Sequence, residues 1–167
     1  MAISYLNGSW QSIEEARVPV LDRGFMFGDG IYEVIPVYAG RVFTLTRHLH
    51  RLNNSLAEIK LINPMTQDAW SHLIEEAVGR SGETNAFVYI QVTRGVASGR
   101  DHVYPRVAPT VLVMVYAAPI LERAVIRPYS LVTLEDFRWS RGHIKTVSLI
   151  AAGMLRNEAI SQGADDA

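Results

Sequence analysis

Ala86-Phe-Val-Tyr-Ile-Gln-Val-Thr93 and Thr110-Val-Leu-Val-Met-Val-Tyr-Ala117 are two apolar runs dominated by β-branched and aromatic residues, and Arg94–Pro109 between them is rich in Gly, Ser, Pro and charge. Runs of this length and composition read as strands. The interval cannot continue a ladder, so it is predicted to be an irregular loop carried on two rigid strands, where binding groups tend to sit.

Upstream, Ser4–Leu6 and Ser9–Ser12 flank Asn7-Gly8, a dipeptide suited to the positive φ values of a two-residue hairpin turn. After a glycine-rich loop (Gly24, Gly28, Gly30), Ile31–Tyr38 reads as a strand, Ala39-Gly40 as a turn and Arg41–Leu45 as its partner strand. Thr46 is expected to cap a helix that places Leu49, Leu52, Leu56 and Ile59 at helical spacing. A second helix is expected from Thr66, burying Ala69, Trp70, Leu73 and Ala77.

Downstream, Ala118-Pro119 is the best candidate boundary. A strand around Val125–Thr133 and a helix over roughly Ser148–Gln162, ended by Gly163, follow it. One strand and one helix are too little to close a two-layer core. The organisation expected is therefore a mixed α/β (α+β) N-terminal domain over residues 1–118 and the incomplete beginning of a second domain over 119–167, with the natural chain continuing further.

With 49% apolar and 20% charged residues the chain can bury a core, and no apolar run reaches the length of a membrane span. The opening residues carry no basic-then-apolar pattern of a secretory signal, which makes the cytoplasm the default location. The absence of cysteine excludes a disulfide framework and a thiolate nucleophile. A net charge of -1 gives no electrostatic case for nucleic acid or a membrane surface. Of the 16 basic residues only Lys60 and Lys145 are lysines, and the other 14 are arginines.

Lys145 lies in the apolar stretch His143-Ile-Lys-Thr-Val-Ser-Leu-Ile150. Desolvation there would disfavour the ammonium and leave a nucleophilic amine able to form a Schiff base, although a stem on apolar surface with its head in water explains the sequence equally well. Arg100 and His102, two apart on extended chain, point to one side and could hold a carboxylate, or they could be an incidental pair on a solvated loop. Tyr32 shares a strand face with Val34 and Pro36, opposite Glu33, Ile35 and Val37, and either lines a site or packs. Arg51, beside the apolar stripe of its helix, is either an anion clamp or half of a surface ion pair. The spacing in Gly24-Phe-Met-Phe-Gly-Asp-Gly30 is not that of a phosphate loop, and the five histidines show no metal-ligand spacing.

Taken together, Asp22-Arg-Gly-Phe-Met-Phe-Gly-Asp-Gly-Ile-Tyr-Glu-Val34, His48-Leu-His-Arg-Leu52, Gln91-Val-Thr-Arg-Gly95 with Arg100-x-His102, and Glu135-Asp-Phe-Arg-Trp139 leading to Ile144-Lys145 resemble the fold-type IV pyridoxal-phosphate enzymes, and within them the D-amino-acid aminotransferases. The resemblance implies that fold, with a small N-terminal α/β domain followed by a larger cofactor-binding domain, and a homodimer using pyridoxal 5'-phosphate. It implies transamination between a D-amino acid such as D-alanine and a 2-oxo acid. Lys145 is similar to the family's Schiff-base lysine and proton shuttle, and Arg51 to the arginine that binds the cofactor phosphate. Tyr32, Arg100 and His102 match the trap for the substrate carboxylate, the last two reaching in from the neighbouring subunit. Arg138 matches a residue near the cofactor. The glutamate that meets the pyridine nitrogen and a second phosphate-binding turn would belong to sequence beyond Ala167. A branched-chain L-aminotransferase, an (R)-amine transaminase and an aminodeoxychorismate lyase share these features, and from another class a non-enzymatic remnant of the fold would keep them too.

Overall fold

The structure is a computed structural model, and it describes residues 3–119 and 128–167. The chain divides into two compact units, one formed by residues 1–119 with 144–147 and the other by 120–143 with 148–167. Ile144–Val147, which the sequence places in the second region, thus belongs to the first unit.

The strands of the first unit are β1 (Ile3–Leu6), β2 (Ser9–Ser12), β3 (Gly30–Tyr38), β4 (Arg41–Val42), β5 (Ala86–Thr93) and β6 (Thr110–Ala117). They form one antiparallel six-stranded sheet, ordered β2-β1-β6-β5-β3-β4. Its centre is the pair β5 and β6, joined residue by residue from Ala86↔Ala117 to Thr93↔Thr110. β3 flanks β5 on one side. The hairpin of β1 and β2 extends the sheet beyond β6. Asn7 and Gly8 in its turn take φ values of 47° and 98°, as the dipeptide requires.

Alternation along the strands makes one face apolar and buried, with Ile31, Ile35 and Val37 beside Val88, Ile90 and Val92, then Val111, Val113 and Val115. Against it pack α2 (Leu45–Glu58), through Leu49, Leu52 and Leu56, and α3 (Gln67–Ser81), through Trp70, Leu73, Ile74, Ala77 and Val78. Each fully buried Leu, Ile or Val among them contributes about 1.5–3 kcal/mol relative to exposure. The Trp70 indole also satisfies its polar atom, with Nε1 donating to Asn63 Oδ1 at 2.8 Å.

Four local expectations are corrected. The partner of β3 is only the two-residue β4, because Thr44 turns the chain with a φ of 48° and Leu45 already begins α2. Thr46 therefore lies inside that helix and does not cap it. Ala69 is exposed, since the apolar stripe of α3 runs one position later, through Trp70. The glycine-rich segment holds a short helix, α1 (Arg23–Phe27), begun by Asp22, whose carboxylate accepts from Gly24 N, and ended by Gly28 with a φ of 65°.

In the second unit the helix is α4 (Ile150–Ser161), followed by Gly163 at a φ of 80°. The strand expected at 125–133 lies outside the described residues over 125–127. Over 128–133 it is reduced to a single bridge, Leu131↔Asp166. Among the described residues no helix is long and apolar enough to cross a membrane.

Candidate active site

Ile144–Val147 runs antiparallel to the start of β3, bridging Ile31 to Thr146. Tyr32 N donates to Lys145 O at 3.0 Å, Val147 N donates to Gly30 O at 3.1 Å, and Lys145 N donates to Ser55 Oγ of α2 at 3.3 Å. These bonds fix the peptide that carries Lys145, and the alternation of extended chain decides where its side chain goes. Ile144 enters the core at 4% exposure, so Lys145 turns to the opposite face, with Nζ 3.9 Å from the centroid of the Tyr32 ring. The Tyr32 ring in turn stacks on Tyr89, with centroids 5.8 Å apart and planes at 26°. Burial, then the neighbouring Tyr32 and Tyr116, push the Tyr89 phenol up to about 12, and its hydroxyl donates to Gln91 Oε1 at 2.7 Å. Lys145 is half-buried, and among the described residues its amine makes no ion pair.

On the other face of β3, Glu33 is fully buried beside Ile31 and Ile35. Arg51 of α2 forks onto its carboxylate, Nε donating to Oε1 at 2.6 Å and Nη2 to Oε2 at 2.7 Å, and His48 Nδ1 lies 2.9 Å from Oε2. The Glu33 hydrogen bonds raise the Arg51 guanidinium pKa further above its ordinary value, against an opposing effect of burial, and the charges of Glu33 and Tyr32 add to the rise. The Arg51 side chain is 50% exposed, and its Nη1 has no hydrogen bond among the described residues. Arg51 is therefore more than a surface ion pair: one edge of the guanidinium is anchored on a buried acid and the rest remains available.

The loop 94–109 is anchored at its root. Asp22, 1% exposed, accepts from Thr93 Oγ1 at 3.0 Å and Thr110 Oγ1 at 2.6 Å, tying the ends of β5 and β6 to the start of α1. Asp29 Oδ2 accepts from both Arg23 Nε and Arg94 Nε at 2.8 Å. Arg94 also donates to Ile59 O at 2.8 Å and lies 3.6 Å from the Tyr104 ring centroid. Further along, Arg100 and His102 are exposed and come together on one ring, that of Phe27. Among the described residues, they make no hydrogen bond, ion pair or ring contact with Tyr32, Lys145 or Arg51.

The structure thus gathers the sequence-derived candidates into two groups, Lys145 with Tyr32 and Arg100 with His102, while Arg51 stands on the helix-side face of β3. Arg138 belongs to the second unit, where it forks onto Asp136 with contacts of 2.9 and 2.7 Å. These hydrogen bonds hold the exposed Asp136 carboxyl down at about 2. Sequence reasoning missed Glu33, His48, Arg23, Phe27 and Asp29. For Glu33 a signal existed, an acid in phase with Ile31, Ile35 and Val37. For Asp29 none did, because of its two partners Arg94 is distant in the chain and Arg23 stands at no spacing that pairs side chains locally.

A family model described as Amino-transferase class IV matches residues 30–167. The chain is 39% identical over 157 residues to a D-alanine aminotransferase of Listeria monocytogenes serotype 1/2a (strain 10403S), covering 92% of this chain and 54% of that protein. It is 34% identical over 170 residues to a D-alanine aminotransferase of Staphylococcus haemolyticus, covering 98% and 58%. The chain thus spans about half the length of the curated relatives it matches. Among solved structures, the branched-chain amino acid aminotransferase of Escherichia coli superposes with a TM-score of 0.86 at 16% identity, over 98% of this chain and 57% of that one, a likeness of fold.

Proposed function

The chain belongs to the class IV aminotransferases, and on that premise we propose that it is the N-terminal part of a pyridoxal-phosphate enzyme that moves an amino group between a D-amino acid, such as D-alanine, and a 2-oxo acid. The observation that carries this is Lys145, whose peptide is fixed along β3 and whose amine rests on the Tyr32 ring with no acidic partner among the described residues. The D-alanine aminotransferase relatives support the hand of the substrate. The branched-chain structure shares the fold at an identity too low to argue for its substrate.

The Lys145 amine and the Arg51 donors that Glu33 leaves unused have the chemistry that the cofactor's aldehyde and phosphate call for. Lys145 would hold it covalently, and Arg51 would meet its phosphate with the donors that Glu33 leaves unused. When bound, pyridoxal phosphate supplies a carbon that condenses with amines and a ring that withdraws electrons from the substrate Cα. Lys145 would then have two roles, tether of the cofactor and acid/base for the proton on the substrate Cα. Tyr32, with Arg100 and His102 contributed by a neighbouring subunit, would hold the α-carboxylate by a guanidinium fork, an imidazole donor and a phenol.

The test is peptide mapping of the full-length holoenzyme after borohydride reduction. The pyridoxyl group is expected on Lys145, and the label and the transaminase activity should both vanish in Lys145→Ala. Label on Lys60, or a preference for L-leucine over D-alanine in the unmodified enzyme, would overturn the cofactor or the substrate assignment respectively.

A further inference from the structure

We propose that Phe27 is a positioning residue whose ring seats the Arg100 guanidinium and the His102 imidazole for carboxylate binding, while Arg23 holds the peptide between them. The inference rests on Arg100 and His102 being carboxylate donors. Phe27 is the last residue of α1, the helix fixed at its start by Asp22 and at its end by Gly28. Three side chains converge on its half-buried ring. Arg23 Cζ lies 4.5 Å from the centroid, Arg100 Cζ lies 5.2 Å from it, and the His102 ring meets it edge-on at 5.6 Å and 88°.

Arg23 adds a second restraint. Its Nη1 donates at 2.6 Å to the carbonyl of Asp101, the residue between Arg100 and His102. Arg23 is itself 5% exposed and bound to Asp29, so the restraint is anchored in the body of the unit. The pair is consequently held through its backbone by Arg23 and through both side chains by Phe27.

The physical consequence concerns entropy. An exposed arginine on a loop free of such contacts samples many rotamers, and freezing it on binding subtracts from affinity. A ring that already carries the guanidinium leaves its N–H donors free to fork onto a carboxylate. Because the carboxylate is held in the ground state and the transition state alike, loosening the seat raises KM and leaves kcat nearly unchanged. If Phe27 merely fills space, leucine should serve as well.

The experiment uses full-length holoenzyme carrying Phe27→Leu, Phe27→Tyr or Arg100→Ala, with propionate as an unreactive carboxylate probe in titration calorimetry and D-alanine in steady-state kinetics. Phe27→Leu is expected to weaken propionate binding and raise the D-alanine KM about ten-fold, the weight of one to two cation–π contacts, with kcat within about two-fold. Phe27→Tyr keeps the ring and should behave as the unmodified enzyme. Phe27→Met, which fills similar space without a π face, is expected to match Phe27→Leu and serves in its place if the leucine variant does not fold. Unchanged propionate affinity in Phe27→Leu, with affinity lost in Arg100→Ala, would overturn the role of Phe27 alone. Unchanged affinity in Arg100→Ala as well would show that the carboxylate reading of the pair had failed first.

Discussion

Glu33 is an acid on the apolar face of a strand, and its side-chain partners among the described residues are the Arg51 fork and the His48 ring. The two ends of the Arg51–Glu33 pair are unequal, because Glu33 is fully buried whereas half of the Arg51 side chain meets water. Removing Arg51 strands a buried carboxylate, whereas removing Glu33 releases a guanidinium that water can solvate. Arg51→Leu is therefore expected to destabilise the fold by roughly 1–3 kcal/mol, the cost of a buried acceptor losing its main donors. Adding Glu33→Met should recover a good part of the loss, since an apolar replacement for a buried pair is close to neutral. Urea denaturation of the two single variants and the double variant measures this cycle. A double variant no more stable than Arg51→Leu would contradict the account. The same asymmetry bears on the proposed phosphate contact, because Glu33 orients the arginine without consuming all its donors.

At the scale of elements, the loop 94–109 depends on the backbone at its root. Gly95 has a φ of 95°, its carbonyl accepts from Arg23 N at 2.9 Å, and a Cβ there would collide with the carbonyl of Ala108. Gly95→Ala should therefore destabilise the first unit by roughly 2–4 kcal/mol, combining left-handed strain with overpacking. Thermal melts by circular dichroism would register the loss, and an unchanged melting temperature would refute it. The long strands β3, β5 and β6 and the helices α2 and α3 were legible in the sequence, since each carries its own period of apolar residues over eight or more positions. What was not legible is governed by other contacts. Thr44 ends β4 early through a positive φ that no local pattern announces, and Asp22 draws its glycine-rich neighbours into α1 because Thr93 and Thr110 hold its carboxylate from far along the chain.

For the whole molecule, the candidate site was legible as motifs in order along the chain, but the way its residues group in space was not. Lys145 and Tyr32 meet because the segment 144–147 lies along β3, whereas the exposed Arg100 and His102 make no hydrogen bond, ion pair or ring contact with them among the described residues. If the pair serves the site of a second copy, a homodimer has two sites, each taking Lys145 from one chain and Arg100 from the other. That arrangement has a consequence a single chain cannot imitate. Full-length Lys145→Ala and Arg100→Ala are each expected to transaminate D-alanine poorly, for different reasons. Unfolded together and refolded as a mixture, half of the dimers would combine the two variants, and each such dimer would hold one site with both residues intact. Activity should then return to about a quarter of that of the unmodified enzyme, as expected for random pairing under two-fold symmetry. Were Arg100 to act in the site of its own chain, every site in the mixture would still lack one residue, and refolding would restore nothing. Steady-state rates with D-alanine, measured against mock-refolded single variants, separate the two arrangements.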